Sequence, residues 1–166
     1  MKACRTQVPV YALFVALIFA AGCGRSQPAA ESTAAAAPHV HEHEHKAPHD
    51  GTPVVLGAEL YHLEFVREAA TGTLQVYVLD GEMENFIRVA ALELSISANV
   101  NGSQQTLVLR AIASGATGET VGDTSLFEGQ AEWLKTTPTF DGVLKALTIR
   151  GTTFTEVKFN FPKGNE

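Results

Sequence analysis

The chain has 166 residues, 45% of them hydrophobic, and a formal net charge of −6 from 12 Lys and Arg against 18 Asp and Glu. That acidic balance excludes nucleic acid as a partner, because phosphate contacts need a basic stripe, which this chain lacks. Its two cysteines, Cys4 and Cys23, both sit near the N-terminus and cannot staple a folded domain, so stability must come from apolar burial.

In chain order the first element is a leader over residues 1–22. Lys2 and Arg5 make a basic start, Val10 to Ala21 an apolar run, and small residues lead into Cys23. A run of about 12 apolar residues falls short of the ~20 needed to span a bilayer, so removal of the leader is expected rather than its retention as an anchor. The segment Ala20-Ala21-Gly22-Cys23 resembles the lipobox of bacterial lipoproteins, with Ala20 where Leu is usual. The resemblance implies cleavage before Cys23 and acylation of its thiol by palmitate-type chains, which tether the protein to a membrane on the periplasmic side of the envelope. More than one chain is needed, since a single acyl group holds only marginally. Gly24 in place of Asp after the Cys implies sorting to the outer membrane.

Residues 23–52 form the second element, a linker rich in Ala, Pro, Ser, Glu and His without an aromatic residue. Too little apolar surface is available there to offset ordering entropy, so disorder is expected, with a mean span of roughly 30 Å for about 29 residues. His39, His41, His43, His45 and His49 fall within its last part, spaced two apart up to His45. Neutral imidazole is a ligand for borderline divalent metals, and alternation puts successive rings on one side of an extended chain. Labile binding of Zn, Cu or Ni is therefore expected, with no tightly bound cofactor.

Residues 53–163 read as one domain with period two. Leu74, Val76 and Val78 alternate with Thr73, Gln75 and Tyr77, and Ala90 to Val100 repeats the pattern within a strand expected over Arg88–Val100. Further strands are expected over Tyr61–Arg67, Gln105–Ile112, Val143–Arg150 and Thr153–Phe161. Turn pairs stand at Thr71-Gly72, Asp80-Gly81, Asn101-Gly102, Asp141-Gly142 and Arg150-Gly151, while Phe127–Leu134 fits a short helix or an irregular edge. The pattern predicts an all-β fold, an antiparallel β-sandwich of immunoglobulin-like outline, with an open barrel as the competitor. Val76, Leu94 and Phe159 are expected in its core. On the strand from Tyr61, the residues Tyr61, Leu63 and Phe65 form the core face, which turns His62 and Glu64 to the other side, about 7 Å apart.

Pro48-His49-Asp50-Gly51, the Leu56-Gly57 pair, Tyr61-His62-Leu63-Glu64 and the strand Gly72 to Asp80 resemble an uncharacterised group of bacterial envelope lipoproteins. That group has a His-rich leader, a Pro-His-Gly-Gly opening and a Tyr-His-x-Glu strand, and is distantly similar to the N-terminal region of periplasmic adaptors of heavy-metal efflux systems. Asp50 stands where the group has Gly. The resemblance carries no established activity; a His with a carboxylate two residues on makes His62 and Glu64 candidates to complete a metal site with His49, the alternative being an exposed polar face of the strand, and a metal-efflux or other envelope protein is the expected partner. Catalysis is not expected, since no Gly-x-Ser-x-Gly elbow exists and the domain from residue 53 holds a single His. The competing expectation is an envelope interaction module whose His-rich arm is only a tether.

Overall fold

Alternating apolar and polar residues become strand wherever a neighbour takes up the backbone N–H and C=O groups. The structure is a computed structural model and describes residues 46–165. The leader, Cys23 and the tract histidines His39, His41, His43 and His45 lie outside the described residues.

Along the described chain run β1 (Thr52–Leu56), β2 (Tyr61–Glu68), β3 (Thr73–Asp80), β4 (Glu93–Val100), β5 (Ser103–Ala111), β6 (Leu126–Gln130), a helical turn α1 (Trp133–Thr136), β7 (Phe140–Ile149) and β8 (Thr152–Phe161). The strands join one antiparallel sheet in the order β1-β2-β3-β6-β5-β4-β7-β8. This sheet rolls around one core to which every strand contributes, including Leu56, Phe65, Val76, Leu94, Leu109, Phe127, Leu144 and Phe159. The expected all-β antiparallel fold is thus present, its strands in one continuous, barrel-like ladder, and Val76, Leu94 and Phe159 lie in its core.

Closure falls between β1 and β8. Pro53 lacks an N–H, and the Asn165 side chain covers the edge beside it, accepting from Val55 N at 2.8 Å and donating to Val55 O at 3.1 Å. A short edge with a proline and a side-chain clamp offers little template for pairing with another chain.

The hairpin β4–β5 turns at Asn101-Gly102, both with positive φ (51° and 80°), the geometry a two-residue turn needs to match strand twist. Five expectations change. Asp141-Gly142 is no turn but lies inside β7, where a side chain at Gly142 would stand 2.7 Å from Cε1 of the Phe159 ring, so the glycine makes room for a core aromatic. The strand expected from Arg88 begins only at Glu93, because buried residues fall on odd positions at Ile87 and Val89 and on even ones from Leu94. Leu92, placed on the core face by simple alternation, is 66% exposed. The segment Phe127–Leu134 divides into the end of β6, an interior strand between β3 and β5, and α1, whose Leu134 is buried. Finally, order begins before residue 52: residues 46–51 lie on the outer face of the sheet, and β1 starts at Thr52.

Candidate functional site

Strand β2 lies between β1 and β3, with Leu63 and Phe65 turned into the core. His62 and Glu64 occupy the opposite face, as period two requires. They do not form an exposed polar face, however: His62 is 1% and Glu64 0% exposed. The cause is long-range. Residues 46–51 and the loop after β3 cross this face, and Ala47, Leu79 and Met83 make a second small core there with Tyr77 packed against it.

Glu64 organises the crossing segment. Its Oε1 accepts from the backbone N–H of His49 at 2.7 Å and of Gly51 at 2.9 Å, and its Oε2 lies 2.8 Å from His49 Nδ1. Charge-assisted bonds of this kind offset the cost of burying a carboxylate. The turn that delivers both N–H groups is closed by Asp50 N donating to Ala47 O at 3.1 Å. Asp50 sits at φ 53°, the left-handed region that favours Gly and tolerates Asp, so the replacement noted in the sequence keeps the backbone path. Gly51 is required by proximity, since a side chain there would stand 2.7 Å from Glu64 Cγ and from Phe65 O.

The His49 ring stacks on Tyr77 with centroids 3.9 Å apart and planes 16° apart, and Phe86 tilts against it at 5.8 Å. Tyr77 is the cross-strand neighbour of Glu64. Burial, then the Glu64 and Glu128 carboxylates, push its hydroxyl above the usual value. That hydroxyl donates to Gln75 Oε1, and Gln75 Nε2 donates to Glu128.

Of the expected metal residues, the fold brings His49 and Glu64 into contact and leaves His62 on the same face beside β3, its Nδ1 3.4 Å from Asp80 O. Among the described residues no three or more His, Cys, Asp or Glu converge as a metal would need. Both Glu64 oxygens are engaged by the segment they hold, so a metal at Glu64 would displace three hydrogen bonds. Tyr77, Phe86 and Gly51 escape sequence reasoning. Tyr77 reads there as one member of an alternating strand, and only its register opposite Glu64 places it under the imidazole.

A second polar cluster ties the loop before β4 to the loop before β6. Arg88 reaches Asp123 at 3.3 Å and Glu119 at 3.9 Å and donates to the Thr117 and Gly118 carbonyls. Burial alone would raise the Glu119 carboxyl. Hydrogen bonds from the Ser125 and Thr117 side chains and the Ser125 N–H, with the Arg88 charge, lower it instead. The Ser125 hydroxyl donates to Glu119 at 2.6 Å, and Ser125 is 4% exposed. A groove of about 500 Å³ runs over the outer faces of β4, β7 and β8 between Ser97, Asn99, Asp141 and Lys158, and shares no residue with the His49 cluster.

Comparison of the chain with protein-family models, curated proteins and solved structures gives no match.

Proposed function

We propose that this chain is a lipid-anchored envelope protein, acylated at Cys23, that takes up Zn(II), Cu(II) or Ni(II) through the His-rich segment preceding its β domain. Such a protein is suited to labile metal handling beside an efflux or other envelope partner. The observation that carries the reading is the density of imidazole: His39, His41, His43, His45 and His49 within one short stretch, against a single His in all the sequence after it. The domain supplies a platform at the end of that stretch, where the His49 ring is 37% exposed and held by Glu64.

Metal titration of the full chain with and without residues 39–49 tests the reading. Binding that disappears with the segment supports it, and binding should weaken steeply from about pH 7 to pH 5 as protons compete for imidazoles with an ordinary value of about 6.5. A chain that takes none of the three metals at neutral pH removes the metal reading and leaves the segment a tether.

A further inference from the structure

We propose that the open backbone edge of β7 is a docking site for an extended segment of a partner protein, which completes the sheet between β7 and the chain that precedes β4. The β4–β7 ladder ends at the pair Ile96 and Leu144, whereas β7 runs on to Ile149 paired with β8 alone. Both strands bend where that ladder stops. Lys145 and Glu156 drop out of the β7–β8 pairing, Glu156 at φ 52°, and the buried positions of β7 step from Leu144 to Leu147. Beyond the bend, Arg150 and Gly151, both at positive φ (47° and 86°), close a two-residue turn between Ile149 and Thr152. In such a turn the two flanking residues exchange hydrogen bonds. By alternation Leu147 also bonds β8, while Ala146 and Thr148 aim their N–H and C=O groups away from it.

The facing wall is a second open edge. Ile87 N donates to Val78 O at 2.8 Å, and Val89 and Thr124 exchange bonds at 2.9 and 3.3 Å, so the groups of Arg88 and Ala90, which alternate with these, turn toward β7. No backbone hydrogen bond joins residues 88–91 to residues 146–149. Between the two edges lies a cleft of about 620 Å³ that shares no residue with the His49 cluster. Val89 and Leu147, both of the main core, line it together with the exposed Arg88 and Arg150. A strand laid there finds backbone partners on both sides, with one set of side chains against Val89 and Leu147 and the other beside the arginines. The closure at β1 and β8 is guarded by Pro53 and the Asn165 clamp, whereas β7 over residues 146–149 has neither a proline nor a side-chain bond to its backbone from another segment. Charge selects the occupant. Arg88 is already engaged by Asp123 and Glu119, but Arg150 makes no ion pair or side-chain hydrogen bond among the described residues. The segment that fits therefore alternates apolar with polar residues and presents a carboxylate to Arg150. A second copy of this chain is the poorer occupant, since two chains of net charge −6 repel each other.

The test uses the full chain and two capped octapeptides of alternating Val and Thr, one with a central Glu in place of a Thr and the other with Lys there, followed by fluorescence anisotropy and amide hydrogen exchange. In the free chain the Ala90, Ala146 and Thr148 amides should exchange faster than those of Leu147 and Ile149. The Glu peptide should slow all three and bind about 2- to 5-fold more tightly than the Lys peptide. Ala146→Pro removes an N–H that bonds nothing within the fold, so affinity should fall about 5- to 10-fold with the unfolding midpoint retained. Arg150→Glu, in an exposed turn, should invert the preference between the peptides, and it decides the matter if Ala146→Pro lowers the midpoint. A chain that takes neither peptide, or an unchanged preference in Arg150→Glu, overturns the proposal. Two further results overturn it by naming another occupant. Ala146 and Thr148 amides protected in the free chain at every concentration show that the chain covers its own edge, and protection that grows with protein concentration alongside a rising sedimentation coefficient shows that a second copy does.

Discussion

Removing the Glu64 carboxylate should release residues 46–51 from the sheet. Glu64→Ala deletes the acceptor for His49 N, Gly51 N and His49 Nδ1, three contacts of 2.7 to 2.9 Å. Hydrogen bonds to a charged group are worth about 1.5–3 kcal/mol each. The gain is reduced because the fully buried carboxylate loses its own hydration on folding, a penalty of several kcal/mol. Deleting one partner of a buried pair typically costs about 3–5 kcal/mol, because the other is stranded. Here the other partner is a ring 37% exposed on a segment free to lift into water, so the loss should lie lower, at about 2–3 kcal/mol. That corresponds to about 30- to 160-fold faster hydrogen exchange at the His49 and Gly51 amides, at 1.36 kcal/mol per factor of ten. Exchange at Val76 and Leu94, deep in the main core, should follow only the global stability. Urea unfolding, amide exchange and tryptic cleavage after Lys46 read the three consequences. If His49 and Gly51 keep their protection in Glu64→Ala, the carboxylate does not hold the segment, and the argument for its role fails.

Other expectations concern the core, the acid limb of stability and the anchor. Gly142→Ala should destabilise by about 1–3 kcal/mol in chemical denaturation, because its methyl would stand 2.7 Å from Cε1 of the Phe159 ring and closer still to its Cζ; a midpoint equal to the parent's would show that the ring yields freely. Asp80 and Glu119 both titrate below their usual values in the fold. For Asp80, burial opposes the shift, and hydrogen bonds from the Asn85 side chain and the Asn85, Glu84 and Glu82 backbone outweigh it. A depressed folded value stabilises above the unfolded pKa, near 4 for a carboxylate, and that stability is lost as pH falls through the lower folded value. Acid titration of Glu119→Gln should therefore show a shallower loss of stability below about pH 4 than the parent, and identical slopes would refute the assignment. Cys23→Ser should abolish metabolic palmitate labelling, and undiminished labelling would end the lipobox reading.

The β class was legible in the sequence because strand period is a local property. Leu74, Val76 and Val78 declare a buried face from their own alternation, and Asn101-Gly102 declares a hairpin because the positive φ it needs suits those two residues. His49 and Glu64 were likewise visible as residues of interest. The sequence grouped them as ligands of one site but did not disclose that the Glu64 carboxylate is buried and accepts from His49 and Gly51, since alternation states only that Glu64 opposes Leu63 and Phe65, not what lies over it. That covering comes from residues 13 to 15 positions earlier in the chain and from Tyr77 on the next strand. The same limit explains Leu92 and Gly142. Whether an apolar residue is buried, or a glycine turns the chain, depends on which distant strand or ring faces it, here the pairing that starts at Glu93 and the Phe159 ring. Local periodicity determines the element and its two faces, and only long-range packing decides which face meets water.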